Sequence, residues 1–359
     1  MRKYILLLII VCIMPLFAIP AGAEERVEGY VSKFESIIPE DTPDLSDGEK
    51  IIENFSLKGL ALEILSLVTD NQSRLLAFLF LLLGVVFLSA LSMSAQESYA
   101  KQTRAVVQII GSLAIFPFIK EAYSSVAASL THIGDFFAAL TPIAIGMTAL
   151  GGGVSSASVQ ASGMYTALSL IGELGSRFFL PLAAFGLAVA LVSSLGNSSI
   201  LTVAKGVKGI FTWAIGIFSA IVTAVFSLQG LVASATDSAT MRAARYTASS
   251  LIPVVGSAVS GALATLSSGL SYAKTIVGGG AIAVIVSLAL APLVMLLLYR
   301  LAFGLAEIIS ELVLAEGSTS IFKAYKLSLD MIISVYVMSV ILYLFQVVLF
   351  LKIGAMAYD

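Results

Sequence analysis

The chain has 359 residues, 58% of them hydrophobic and 12% charged, with a formal net charge of −2. From Leu75 to the end it carries 13 Lys or Arg and 10 Asp or Glu in 285 residues, too few to cover a water-soluble body, since soluble domains run at about 25% charged. The balance leaves no basic surface for nucleic acid, and one Cys with one His excludes both an internal disulfide and a His/Cys metal cluster.

The first residues have the layout of a cleavable signal peptide, 1–23. Arg2 and Lys3 precede an apolar core, and Ala21-Gly22-Ala23 is a small-x-small cleavage site. An uncleaved signal anchor is the alternative; Pro20 favours cleavage. A leader follows over 24–74. Between 24 and 57 ten acidic residues oppose three basic ones, and export would place the segment outside the cytoplasm. Ile38-Pro39-Glu40-Asp41-Thr42-Pro43 is a loop. Ser46 with Glu49 resembles a capping box. Ile51, Ile52, Phe55, Leu60, Ile64 and Leu67 then recur at helical spacing. The leader is either a flexible acidic tail or a docking element.

Residues 75–359 alternate apolar runs with short charged joints, the pattern of an all-α, multi-spanning membrane domain. Residues 75–96 are uncharged, and Lys101 with Arg104 form the next joint. The run from 105 ends or kinks at Pro117. After His132 and Asp135, residues 136–172 are uncharged but interrupted by Gly151-Gly152-Gly153, which suggests a turn between two spans. Glu173 and Arg177 would sit at the tip of a hairpin joining 157–173 to 178–196. Lys205 and Lys208 precede a clear span, 209–236. Asp237, Arg242 and Arg245 follow in a polar segment. Residues 246–273 are uncharged and rich in Gly, Ser and Ala. A span at 275–299, a mixed stretch at 300–326 and a last span at 331–351 complete the chain. Basic joints belong inside. Together with an exported N-terminus this gives eight crossings and both termini outside; six or seven are the other counts the pattern allows.

Several residues stand out against this background. The small residues of 246–273 serve either close helix packing or a re-entrant segment lining water. Glu173 and Arg177 are four apart in the favourable order for an ion pair, or else lie on a solute path. Glu307 and Glu311 share one helix face. Two acids four apart repel, so that face must meet water or a basic partner, on an interfacial helix or along a pore. Arg242 and Arg245 also share a face, and with Asp237 they are candidates for contact with a partner. His132 reads as incidental, in a short external loop. Enzyme signatures are missing: the sequence has no GxxxxGK[ST], no HExxH and no Gly-x-Ser-x-Gly, and no cofactor motif occurs.

An ordered set of segments resembles the stage III sporulation protein AE family: Leu140-Thr141-Pro142, Gly152-Gly153-Val154-Ser155, Leu228-Gln229-Gly230, Thr236-Asp237, Thr240, Arg242 and Leu251-Ile252-Pro253-Val254-Val255-Gly256. The resemblance covers roughly Leu75 to the C-terminus. It implies a non-enzymatic, multi-pass protein of the mother-cell membrane around the forespore. Such a protein is a subunit of a channel or secretion-like complex that sustains late forespore development. The implied partners are other stage III A sporulation proteins, including a separate secretion-type ATPase, a forespore-side channel partner, a YidC/Oxa-type insertase for biogenesis, and the lipid bilayer; a homo-oligomer is compatible with this. A stand-alone secondary transporter is the rival reading, with Glu307/Glu311 or Glu173/Arg177 at the path.

Overall fold

The computed structural model describes residues 23–39, 57–93, 100–151, 153–194, 199–251 and 256–352. The signal segment before Ala23, the Ser46/Glu49 capping box and the Ile252-Pro253-Val254-Val255 part of the family segment lie outside the described residues. Within them the chain is helical: α1 Ala23–Ser36, α2 Leu57–Asp70, α3 Gln72–Met93, α4 Ala100–Leu150, α5 Val154–Ser194, α6 Ser199–Leu251, α7 Gly256–Leu312 and α8 Glu316–Lys352. Among the described residues, five stretches are long and apolar enough to cross a membrane, namely Gln72–Met93, Gln102–Leu150, Ser199–Thr240, Gly269–Leu312 and Gly317–Lys352. The protein is an all-α, polytopic membrane protein.

Two reversals expected from the sequence do not occur. α4 continues through Pro117, His132, Asp135 and Pro142, so His132 and Asp135 sit on a helix rather than in a loop. α5 continues through Glu173, Arg177 and Pro181, so no hairpin tip exists there. The eight-crossing layout needed both turns. A charge inside an apolar run marks a boundary only if helices stop at the membrane surface. At about 1.5 Å per residue, the 51 residues of α4 exceed the roughly 30 Å hydrocarbon thickness more than twofold. The turn expected at Gly151–Gly153 does occur. Gly151 N–H bonds to Met147 O at 3.3 Å, and Ala157 N–H to Gly153 O at 2.8 Å opens α5.

Buried polar groups hold the long helices in register. Pro292 lies inside α7 and has no N–H, so the Leu288 carbonyl one turn earlier loses its helical donor. Ser129 of α4 donates its hydroxyl to that carbonyl at 2.8 Å. Tyr336 of α8 donates to the neighbouring Ala289 carbonyl at 3.0 Å and lies 2.8 Å from Ser129 Oγ. In hydrocarbon no water can serve a freed carbonyl, so three helices are pinned at one proline. Tyr325 of α8 likewise donates to Ser112 O of α4 at 2.7 Å, and Ser328 to Leu182 O of α5 at 2.5 Å.

The first helix of the leader, α1, packs on the bundle. Phe34 of α1 is 3% exposed. Its ring meets that of Phe136 on α4 edge to face at 6.4 Å. A Cβ at Gly280 of α7 would come within 2.8 Å of the Phe34 ring, so that glycine is what lets the leader helix approach α7. On α3 the buried row Phe78, Leu82, Val85, Val86 and Ser89 faces the bundle, while Leu76, Phe80, Leu83 and Phe87 are exposed. This one-sided pattern fits lipid on the outer face.

Candidate functional site

α7 and α8 form a helical hairpin. Ala315 N–H bonds to Ser310 O at 2.9 Å and Leu314 N–H to Glu311 O at 3.1 Å. Leu314 takes φ 59°, so α7 ends in a Schellman motif with leucine where glycine is usual. Ser310 and Ser318 hydroxyls lie 2.6 Å apart across the turn, and one donates to the other while the second donates to Ala315 O, which lies 2.9 and 3.0 Å from them.

A ladder of ion pairs runs along this hairpin. Arg300, Glu307 and Glu311 are spaced by seven and four on α7, and Lys323, Lys326 and Asp330 by three and four on α8, so each set occupies one helix face. Lys323 bonds Glu311 at 2.8 Å and lies 3.7 Å from Glu307, and Lys326 bonds Glu307 at 3.0 Å. Nearer the bundle centre, Asp330 is paired with both Arg300 of α7 and Lys208 of α6. The Asp330 and Glu307 side chains are the most covered, at 13% and 17% exposure. The basic partner that the Glu307/Glu311 face requires is therefore on the next helix of the same chain. The sequence reading singled out neither Asp330 nor Lys208 as a site; the signal for Asp330 was the i, i+3, i+7 recurrence of charge on α8 opposite the i, i+7, i+11 set on α7, and Lys208, on α6, carried no such signal.

The ladder is not a solvated loop beyond the membrane. α3, uncharged from Leu75 onward, packs beside the same stretch. The Phe78 ring is 4.7 Å from that of Tyr299 and 5.2 Å from that of Phe303, and Ser318 N–H donates to Ser89 Oγ at 3.3 Å. Charges at the depth of an uncharged span are tolerated when paired, and all seven here are paired.

The second feature lies at the other end of α5 and α6. Asp237 of α6 is 5% exposed. Its Oδ1 accepts from Ser155 N–H at 3.1 Å and its Oδ2 from Ser156 N–H at 2.7 Å. These are among the first N–H groups of α5, which lack helical acceptors and carry the positive end of the helix dipole. Asp237 thus caps a different helix and is turned into the fold. A Cβ at Gly153 would sit 3.2 Å from Thr148 O and at an ordinary contact distance, 3.4 Å, from Asp237 Oδ2, so the glycine eases the turn rather than the cap. Arg242 and Arg245 continue along α6 beyond Asp237, and their side chains lie outside the described residues, as does that of Arg177. Glu173 is exposed on α5, one turn before Arg177 on the same face.

The segments Gly153-Val154-Ser155 and Thr236-Asp237, 82 residues apart, are therefore joined by the Asp237 cap. A comparison with protein-family models matches residues 43–354 to stage III sporulation protein AE. The chain belongs to the stage III sporulation protein AE family. A curated relative, stage III sporulation protein AE of Bacillus subtilis (strain 168), is 25% identical over 257 residues, covering 71% of this chain and 64% of that protein. The match thus spans somewhat less than two thirds of the relative's length. No solved structure matches. Stage III sporulation protein AE is a sporulation protein family, and this member's long apolar helices agree with a place in a membrane.

Proposed function

We propose that this sporulation protein is an integral subunit of the channel or secretion-like complex in the mother-cell membrane facing the forespore. It acts as a platform for other stage III A proteins. The family match over 43–354 carries the reading. The sequence has no nucleotide-binding loop, so energy comes from a separate secretion-type ATPase, and a YidC/Oxa-type insertase serves its biogenesis. The N-terminal leader lies outside the cytoplasm, docked by Phe34 against the bundle. Arg242 and Arg245, beyond the buried cap at Asp237, form the surface for acidic partner segments in the intermembrane space.

The ladder supports this reading over a stand-alone transporter. A proton- or cation-coupled path needs a carboxylate free of a fixed cation, whereas Glu307, Glu311 and Asp330 are each held by Lys or Arg. Deleting the gene in its sporulating host, with a late forespore-expression reporter, tests the proposal. Growth should be normal and the reporter silent after engulfment; unimpaired spore formation would refute it. Arg242→Glu with Arg245→Glu should leave membrane levels unchanged and still block sporulation.

A further inference from the structure

Two glutamines lie where α5 and α8 meet. Gln160 and Gln346 are 3% and 1% exposed. The amide nitrogen of each is fully buried, with no acceptor among the described residues. Both line a cavity of about 10 Å³ together with Gly163, Phe226, Gln229 and Gly230. That is room for about one water molecule. Gly163 keeps the space open, since a Cβ there would stand 3.0 Å from Gln346 Oε1.

The rest of the Gln160 side chain is occupied. Its Oε1 lies 2.7 Å from Thr148 Oγ1, which is also 2.9 Å from Ala144 O. A threonine hydroxyl has a single hydrogen. Whichever way the amide is turned, one polar end of Gln160 faces the cavity unserved. Lipid tails offer neither donor nor acceptor, and an unserved buried amide costs about 1–3 kcal/mol. Water supplies both.

The cavity adjoins an open groove of about 240 Å³ between α6 and α8, sharing Gly230 and Leu349 with it; Ser227, Ser234, Phe345 and Lys352 also line the groove. Lys352 is the last described residue of α8. It stands beside Leu351, which packs on Gly278 of α7, two residues from the Gly280 seat of the leader helix. The groove therefore opens at the leader end of the bundle, and its serines lead inward.

We propose that this groove is a water-filled inlet, entered beside Lys352 and ending at the amides of Gln160 and Gln346, which hold a water molecule between α5 and α8. The competing occupant is a lipid acyl chain, which would leave the groove dry. The two differ in thiol chemistry, because a charged methanethiosulfonate reagent reacts with the thiolate, which forms only in water. Single cysteines replace Ser227 and Ser234 in the groove, and Ile221 and Val225 on the exposed apolar face of the same helix, in full-length protein lacking Cys12. Membrane fragments open on both faces make orientation irrelevant, and the amount of inserted protein is measured alongside. Ser227→Cys and Ser234→Cys should react at least about tenfold faster than Ile221→Cys and Val225→Cys, since in hydrocarbon the thiolate is strongly disfavoured. Equal rates at all four positions would overturn the inlet. Adding Gln160→Leu and Gln346→Leu should slow modification at Ser234→Cys several-fold; an unchanged rate would overturn the role of the two amides.

Discussion

At the residue scale, stability rests on polar groups placed where lipid cannot serve them. Ser129 answers the carbonyl that Pro292 frees. Ser129→Ala should lower stability by about 1–3 kcal/mol, the cost of an unserved buried group, read as a lower midpoint of thermal unfolding in detergent; an unchanged midpoint would contradict the assignment. Leu314 is the converse case. It holds a left-handed conformation that costs a non-glycine residue about 1–2 kcal/mol, so Leu314→Gly should raise the same midpoint. Asp237→Ala should lower it by about 1.5–3 kcal/mol by removing two charge-assisted bonds from the start of α5. Pro292 and the Thr236-Asp237 pair were visible in the sequence. Their partners were not, because Ser129 and Ser155 are many residues distant and nothing local selects one serine among so many.

At the element scale, helix type and most apolar runs were legible, because uninterrupted hydrophobicity over 20 residues has few physical outcomes. The turn at Gly151–Gly153 was legible for the same kind of reason: three glycines end a helix cheaply. The supposed reversals at His132–Asp135 and Glu173–Arg177 were read from charge alone, and charge does not break a helix. A distance settles the difference. Spin labels at Tyr165 and Ala184, 19 residues apart on α5, should lie about 29 Å apart at the helical rise, against about 10 Å across a hairpin. The ladder was half legible. Glu307 and Glu311 demanded a basic partner, but only the tight turn at Leu314 shows that Lys323 and Lys326 fold back to provide it. Glu307→Lys should reduce the amount of protein in the membrane, and Lys326→Glu in the same chain should restore part of it by reversing the pair.

At the scale of the whole molecule, the described residues form six long helices with α1 packed on them, a body built to stay assembled in a membrane, with Glu307, Glu311, Asp330 and Asp237 committed to structure. The family was legible from an ordered set of short segments. Part of that set, Gly153–Ser155 and Thr236–Asp237, proves to be one contact, and Gln229-Gly230 lines the cavity at Gln160 and Gln346. Its membership of a larger assembly is the central claim, and it is tested most directly by cross-linking and affinity purification of the full-length protein from sporulating cells, with mass spectrometry of what is recovered. The account predicts a secretion-type ATPase and other stage III A proteins in the purified material, lost when Arg242 and Arg245 are both changed to Glu. Recovery of this chain alone, at full yield and with wild-type arginines, would contradict it.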